Sequence, residues 1–103
     1  MKYEVRFPNR SIEGKFAKLL SKIPPDIQNK IAEEVENLSD NPFPYGKKLF
    51  KKLKPPIQFY RYTAQYRIRV GDYRVLYDVD NGRKIVWILA LRKRGEKTYK
   101  GVK

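Results

Sequence analysis

The chain has 103 residues, with 24 Lys and Arg against 11 Asp and Glu, and contains neither Cys nor His. At this length we expect one domain spanning residues 1–103. The missing Cys and His exclude disulfides, thiolate or imidazole metal sites, a Cys nucleophile and a His-based acid–base pair, so we predict no metal and no cofactor. No apolar run is long enough to span a bilayer and the N-terminus lacks a signal-peptide core, which predicts a cytoplasmic protein that does not bind membranes.

The formal net charge of +13 belongs entirely to the second half of the chain. Residues 1–46 carry seven basic and seven acidic side chains, whereas residues 47–103 carry 17 basic and four acidic ones. We interpret the first part as a neutral scaffold and the second as the working surface. Charge alone ranks the polyanionic partners as nucleic acid first, an anionic membrane surface second and an acidic protein third. The membrane is set aside because binding its surface needs a longer amphipathic stripe than residues 47–54 provide.

The first half predicts a strand and two helices. Residues 3–7 alternate apolar and polar side chains as a half-buried strand does. Ser11 is the predicted N-cap of the first helix, and Pro24-Pro25 closes it and opens the second. Apolar residues recur at helical spacing in both segments: Ile12, Phe16, Leu19, Leu20 and Ile23 in the first, Ile27, Ile31, Val35 and Leu38 in the second.

The second half predicts three strands. Residues 41–46 are rich in Pro and form a loop, and residues 47–54 are expected to form a short helical turn that buries Leu49, Phe50 and Leu53. Strands follow at 66–70, 73–79 and 84–91, separated by Gly71-Asp72 and by the turn at 80–82. The order β-α-α-β-β-β with a basic C-terminal tail predicts an α+β domain, in which a helical hairpin packs on one face of an antiparallel sheet.

A two-residue turn at Gly71-Asp72 determines which side chains share a face of the predicted hairpin. It pairs Arg69 with Arg74 and places Arg67 on the same face, together with Asp78. The other face is apolar and is assigned to the helices; it consists of Tyr66, Ile68, Val70, Tyr73, Val75, Tyr77 and Val79. Opposed arginines repel by about 0.2–1 kcal/mol unless an anion lies between them, so the cluster indicates a phosphate-binding site.

A plain solvated surface is the alternative interpretation, with Asp78 neutralising Arg67 or Arg74. It is disfavoured because further positive charge, at residues 47–54 and 92–94, is not balanced by nearby acidic residues. The lysine-rich run fits phosphate contacts, a localisation-signal-like patch or a soluble surface about equally well. The predicted nucleic-acid-binding residues outside the hairpin are Lys47, Lys48, Lys51, Lys52, Lys54, Arg92 and Lys93.

Residues 66–77 read Y-R-I-R-V-G-D-Y-R-V-L-Y and are followed by an apolar strand, by Arg92-Lys93-Arg94 and by Tyr99. This pattern resembles the RelE/ParE toxin superfamily of bacterial and archaeal toxin–antitoxin systems, and the likeness covers nearly the whole chain. It implies a RelE-like fold and a cognate antitoxin partner. The RelE branch consists of ribosome-dependent endoribonucleases that cut mRNA in the A site, whereas the ParE branch poisons DNA gyrase.

The resemblance also implies catalytic roles. Arg94, or failing that Arg92, matches the arginine that protonates the leaving group, and Tyr99 matches a tail tyrosine that positions or activates the 2′-hydroxyl. The implied catalytic set is Arg67, Arg69, Arg74, Arg94 and Tyr99. Because a guanidinium stays protonated below pH 12, the arginines cannot supply the general base. Tyr99 is the first candidate for the base and Asp78 the second.

Three functional hypotheses follow. The first is a RelE-type toxin that cleaves mRNA on the ribosome by 2′-hydroxyl attack. The second is a ParE-type gyrase inhibitor, which has no nuclease chemistry. The third is a plain RNA- or DNA-binding domain, whose binding would depend steeply on salt and would not be toxic.

Overall fold

The computed structural model describes residues 2–94, so the prediction for Tyr99 lies outside the described residues. The chain folds into seven elements: β1 (Glu4–Arg6), α1 (Arg10–Leu20), α2 (Pro25–Asn37), β2 (Phe50–Phe59), β3 (Tyr62–Val70), β4 (Tyr73–Asp80) and β5 (Ile85–Lys93). Within residues 2–94, no helix is both long and apolar enough to cross a membrane.

The five strands form one sheet in the order β1-β5-β4-β3-β2. β1 lies parallel to β5, and every other neighbouring pair is antiparallel. Both helices pack on the sheet, α1 against β5 and α2 against β3. The predicted α+β architecture, with a helical hairpin on one sheet face, is therefore confirmed.

The prediction of a helical turn at residues 47–54 is wrong. Lys47 and Lys48 lie in a turn, and the chain then extends as β2 along the free edge of β3, with Phe50 opposite Ile68 and Lys51 opposite Arg67. Pairing with β3 satisfies the backbone groups of both strands, which a single helical turn at this edge would not do. The two prolines 55 and 56 fall where the register shifts, as expected for proline on an edge strand.

Each helix begins with a recognisable terminus. Asn9, rather than the predicted Ser11, caps α1, and its side chain accepts a hydrogen bond from the Ile12 amide at 2.9 Å. The alternative fails because the helix already includes Ser11, so only the residue before Arg10 has the extended backbone of an N-cap. Pro25 opens α2 as predicted, with Asp26 in its first turn.

Apolar clusters lie on both faces of the sheet. The larger one joins the helices to the sheet and contains Phe16, Ile23, Ile31, Leu38, Ile68, Val70, Val75, Tyr77, Val86, Ile88 and Leu91. Tyr77 is fully buried there and donates its hydroxyl to the Pro42 carbonyl at 2.8 Å. A smaller cluster lies on the opposite face and contains Phe59, Ala64, Leu76, Leu89 and Ala90. The face away from the helices is therefore partly apolar.

Candidate nucleic-acid interface

The hairpin of β3 and β4 has the predicted register. Arg69 lies opposite Arg74, and Arg67 lies opposite Leu76. Gly71 has a φ of 59°, the left-handed conformation that this tight turn requires and glycine accepts without strain. We call the sheet surface that carries Arg67, Arg69 and Arg74 the arginine face.

A fourth arginine joins this face from β5. Arg92 lies directly opposite Arg74, so Arg69, Arg74 and Arg92 lie side by side on three neighbouring strands. We call these three residues the arginine row. Residues directly opposite in an antiparallel pair have Cβ atoms about 4.5–5.5 Å apart, which holds the three side chains close together.

A register shift between β4 and β5 makes this row possible. Leu76 pairs with Ala90 but Tyr77 pairs with Ile88, so β5 carries one extra residue, Leu89, at that point. After such a bulge, side chains that would otherwise point to one face of the sheet point to the other face. Ile88 can therefore pack in the core under the helices while Arg92 lies on the arginine face.

A depression of about 220 Å³ opens on the arginine face beside the row. Its walls are Lys51, Leu53, Lys54, Pro55, Arg67 and Arg74. None of these residues is acidic, and four of them are cationic. Guanidinium and ammonium groups converging on one depression provide the donors and the positive charge that a phosphate requires.

The guanidinium of Arg92 is held by its surroundings. It lies over the Phe59 ring, 5.1 Å from the centroid, and its Nη1 donates to the Leu91 carbonyl at 3.2 Å. Its Nε is buried and has no hydrogen-bond partner within residues 2–94. Packing against an aromatic ring orders a guanidinium and leaves its outer edge available to a ligand.

The acidic residue Asp78 shares this face and is held by a neighbouring amide. The Asp78 carboxylate accepts a hydrogen bond from Gln65 Nε2 at 3.1 Å. Ion pairs elsewhere in the molecule join Lys2 to Asp40, Arg6 to Glu4 and Arg83 to Asp80.

The other predicted binding residues divide between different surfaces. Lys51 and Lys54 line the depression, whereas Lys52 pairs with Tyr66 and so belongs to the opposite face. Lys47 and Lys48 are exposed in the turn before β2. At the end of β5, Lys93 pairs with Tyr73, and the exposed Arg94 donates its backbone N–H to the Asp72 carbonyl.

Sequence reasoning missed a second cavity on the arginine face. This Trp87 pocket has a volume of about 410 Å³ and is lined by Pro8, Arg61, Tyr62, Thr63, Asp78, Trp87 and Leu89. Trp87 lies opposite Asp78 because the turn at residues 81–84 pairs Asp80 with Ile85, and the length of that turn could not be read from the sequence.

Tyr60 is a second residue that the sequence did not mark. It is exposed at the β2–β3 turn, and its hydroxyl accepts a hydrogen bond from Lys15 Nζ at 3.0 Å. That hydrogen bond, together with the charges of Lys15 and Arg92, lowers the pKa of Tyr60 below its usual value. An aromatic hydroxyl and positive charge thus meet near the edge of the arginine face.

With this geometry in place, comparison with known proteins identifies the family. Residues 10–98 match the model of the ParE toxin of type II toxin–antitoxin systems. A curated protein of Methanocaldococcus jannaschii named "Putative toxin RelE1" is 34% identical over 92 residues, covering 89% of this chain and 94% of that protein. The chain therefore belongs to the RelE/ParE family of toxins of type II toxin–antitoxin systems, as its sequence predicted.

Solved structures agree in fold. The archaeal RelE–RelB complex from Pyrococcus horikoshii contains a chain 30% identical to this one, with a TM-score of 0.70 over 93% of this chain and 99% of that one. The toxin–antitoxin complex RelBE2 from Mycobacterium tuberculosis gives 27% identity and a TM-score of 0.62, over 91% and 100% of the two chains. The chain is thus a RelE-like toxin.

Proposed function

We propose that this toxin is a ribosome-dependent endoribonuclease that cleaves mRNA in the A site and so inhibits translation. The observation that carries the proposal is the arginine row beside a depression without acidic walls. Opposed arginines cost stability in the absence of an anion. A phosphodiester placed there would relieve that repulsion and become more electrophilic.

The proposed reaction is attack by the 2′-hydroxyl on the adjacent phosphorus with departure of the 5′-oxygen. It needs a proton acceptor at the 2′-hydroxyl, a proton donor at the 5′-oxygen, and cations around the pentacoordinate phosphorane. We assign the last role to Arg67, Arg69 and Arg74, whose planar guanidinium groups match the geometry of phosphate oxygens.

Arg92 and Arg94 are the proposed candidates for the leaving-group side. By resemblance, Arg94 matches the arginine that protonates the leaving group, while Arg92 lies directly opposite Arg74. We retain Tyr99 as the proposed base. We do not assign the base to Asp78, because it is four residues from Arg74 along β4, about 13 Å, and Gln65 already donates to its carboxylate.

Dependence on the ribosome follows from this incomplete acid–base equipment. A site strong in charge stabilisation but weak in proton transfer gains most from a partner that fixes the substrate in a reactive geometry. The ribosomal A site presents mRNA in a defined conformation. We accordingly place the toxin in the cytoplasm, with ribosome and mRNA as its targets and a cognate antitoxin as its inhibitor, in keeping with the RelE–RelB and RelBE2 complexes of its structural relatives.

Primer extension on a defined mRNA tests the proposal, with purified toxin and with or without ribosomes paused at a known codon. We expect cuts at the A-site codon only when ribosomes are present. Arg69→Ala should reduce cleavage at least tenfold, since one hydrogen bond to a charged group contributes about 1.5–3 kcal/mol. Lys30→Ala, on the exposed part of α2, is the control and should cleave like the wild type. Absence of cuts by folded toxin under both conditions contradicts the proposal.

Gyrase inhibition is the second candidate, favoured by the name of the matching family model. In that case the arginine face would bind a protein or DNA without cutting RNA. Accumulation of gyrase–DNA cleavage complexes, with the mRNA left intact, would establish this function instead. Salt-sensitive binding to any nucleic acid, with neither effect, would indicate the plain binding domain.

A further inference from the structure

The Trp87 pocket combines the two features by which proteins hold an unpaired nucleobase. Tyr62 and Trp87 provide aromatic surface, and Asp78 provides a hydrogen-bond acceptor. Bases of single-stranded RNA are bound in this way, stacked on aromatic side chains and read along their Watson–Crick edges. The volume of about 410 Å³ lies within the range of pockets that bind small molecules, about 300–1,000 Å³.

The pocket is continuous with the arginine face. Asp78 follows Arg74 by four residues in β4 and lies on the same side of the sheet, about 13 Å away. Between them, Leu76 and Leu89 are buried in the smaller apolar cluster, and the partly exposed side chains packed against that cluster are Leu53, Ile57, Tyr62 and Trp87. A short stretch of single-stranded RNA can therefore hold a phosphate at the arginine row while a neighbouring base enters the pocket.

The carboxylate in the pocket restricts the choice of base. Gln65 donates to Asp78 Oδ1, which fixes the carboxylate and leaves lone pairs on both oxygens. Guanine presents two adjacent donors on its Watson–Crick edge, N1–H and the N2 amino group. Adenine, cytosine and uracil each place an acceptor beside the donor on this edge, and that acceptor would face the carboxylate. A carboxylate that receives two parallel hydrogen bonds is bound far better than one that receives a single bond.

From this juxtaposition we propose that the Trp87 pocket is a guanine-binding subsite, which selects the position of the bound RNA on the arginine face. Asp78 accepts hydrogen bonds from the guanine edge, and Tyr62 and Trp87 contact its ring. The inference rests on the proposed action on RNA. It adds the base that the site prefers and the residues that recognise it.

Trp87 is the only tryptophan of the chain, so its fluorescence reports on this pocket directly. The first experiment titrates the 103-residue toxin with three RNA pentanucleotides that differ only at the central base: UUGUU, UUAUU, and UUIUU with inosine. Inosine has the N1–H of guanine but lacks the N2 amino group. We expect UUGUU to quench the fluorescence and to bind at least tenfold more tightly than UUAUU and UUIUU. A difference of this size corresponds to the loss of one hydrogen bond to a charged group. Equal binding of all three overturns the proposal.

The matched variants are Asp78→Asn and Asp40→Asn, which change the net charge equally. Asp40 lies on the opposite, neutral part of the molecule, where its exposed carboxylate is 3.8 Å from Lys2 Nζ. We expect Asp78→Asn to bind the three RNAs with affinities within about threefold of each other, and Asp40→Asn to keep the guanine preference. If Asp78→Asn is folded by circular dichroism and keeps the preference, the carboxylate is not the reader and the proposal is wrong.

Primer extension separates this inference from the proposed nuclease function. Wild-type toxin and Asp78→Asn are compared on mRNAs that differ only in one base near the cleaved bond. A cleavage pattern that depends on guanine in the wild type and not in the variant supports the subsite. Identical patterns refute the subsite and leave the nuclease function intact. Guanine-selective quenching by a toxin that cuts no RNA would support the subsite and refute the nuclease function.

Discussion

The opposed arginines predict that the arginine face is less stable than it could be. Arg69 and Arg74 lie directly opposite each other in the β3–β4 ladder, and like charges so placed destabilise a sheet by about 0.2–1 kcal/mol. Arg69→Gln removes one of these charges and keeps a long polar side chain. We expect the free energy of unfolding to rise by about 0.2–1 kcal/mol, which raises the midpoint of thermal unfolding by about 1–5 °C in a domain of this size.

The assay is thermal unfolding followed by circular dichroism, at low salt and at 1 M salt. The stabilisation should shrink at 1 M salt, where the Debye length is only about 3 Å. Lys30→Gln is the control because it lowers the net charge equally from an exposed position on α2. The same Arg69→Gln variant should bind RNA less tightly, so stability and binding change in opposite directions. Destabilisation by Arg69→Gln, or a gain equal to that of Lys30→Gln, would refute the reasoning.

Two further predictions concern the lysines of β2 and the buried tyrosine. Lys51→Ala should weaken RNA binding and lower its salt dependence by about one counterion, because Lys51 lines the depression. Lys52 lies on the other face of the sheet, so Lys52→Ala should leave the affinity and its salt dependence nearly unchanged. Filter binding over a salt series measures the affinity and the salt dependence of each variant. Burial raises the pKa of Tyr77 above its ordinary value of about 10, so its neutral form stabilises the fold below pH 10 and that contribution is lost as pH rises further. The free energy of unfolding should therefore fall above pH 10, and Tyr77 contributes at most about 1.4 kcal/mol per pH unit to that fall. In Tyr77→Phe the free energy of unfolding should fall less steeply. Urea titrations of both proteins across pH 8–11 measure the two slopes.

The sequence was most informative where a short local signal set the geometry. The Gly71-Asp72 turn alone gave the register of β3 and β4, and the structure has the same pairs, Arg69 with Arg74 and Tyr66 with Tyr77. Turn length and the two-residue period of a strand are local properties, so no knowledge of distant packing was needed. The apolar stripes of the two helices were found for the same reason.

Local pattern failed where pairing with a distant strand decided the structure. Residues 50–53 have an apolar spacing compatible with a helical turn, but the free edge of β3 binds them as a strand. Helix and strand cannot be told apart by periodicity over so few residues. The sequence had therefore grouped Lys51 with Lys52, which the structure places on opposite faces of the sheet.

The sequence by itself determined a basic α+β toxin domain of the RelE/ParE family, with Arg67, Arg69 and Arg74 on one face. Only the tertiary structure decided that Arg92 completes the row and that Trp87 lies opposite Asp78. The Leu89 bulge in β5, inside a run of apolar residues that contains no turn signal, places Arg92, whereas the length of the turn at residues 81–84 places Trp87. Because one extra residue, in a turn or in a bulge, moves every later side chain of a strand to the other face, both positions followed from the pairing of β5 with β4 and not from the sequence of β5.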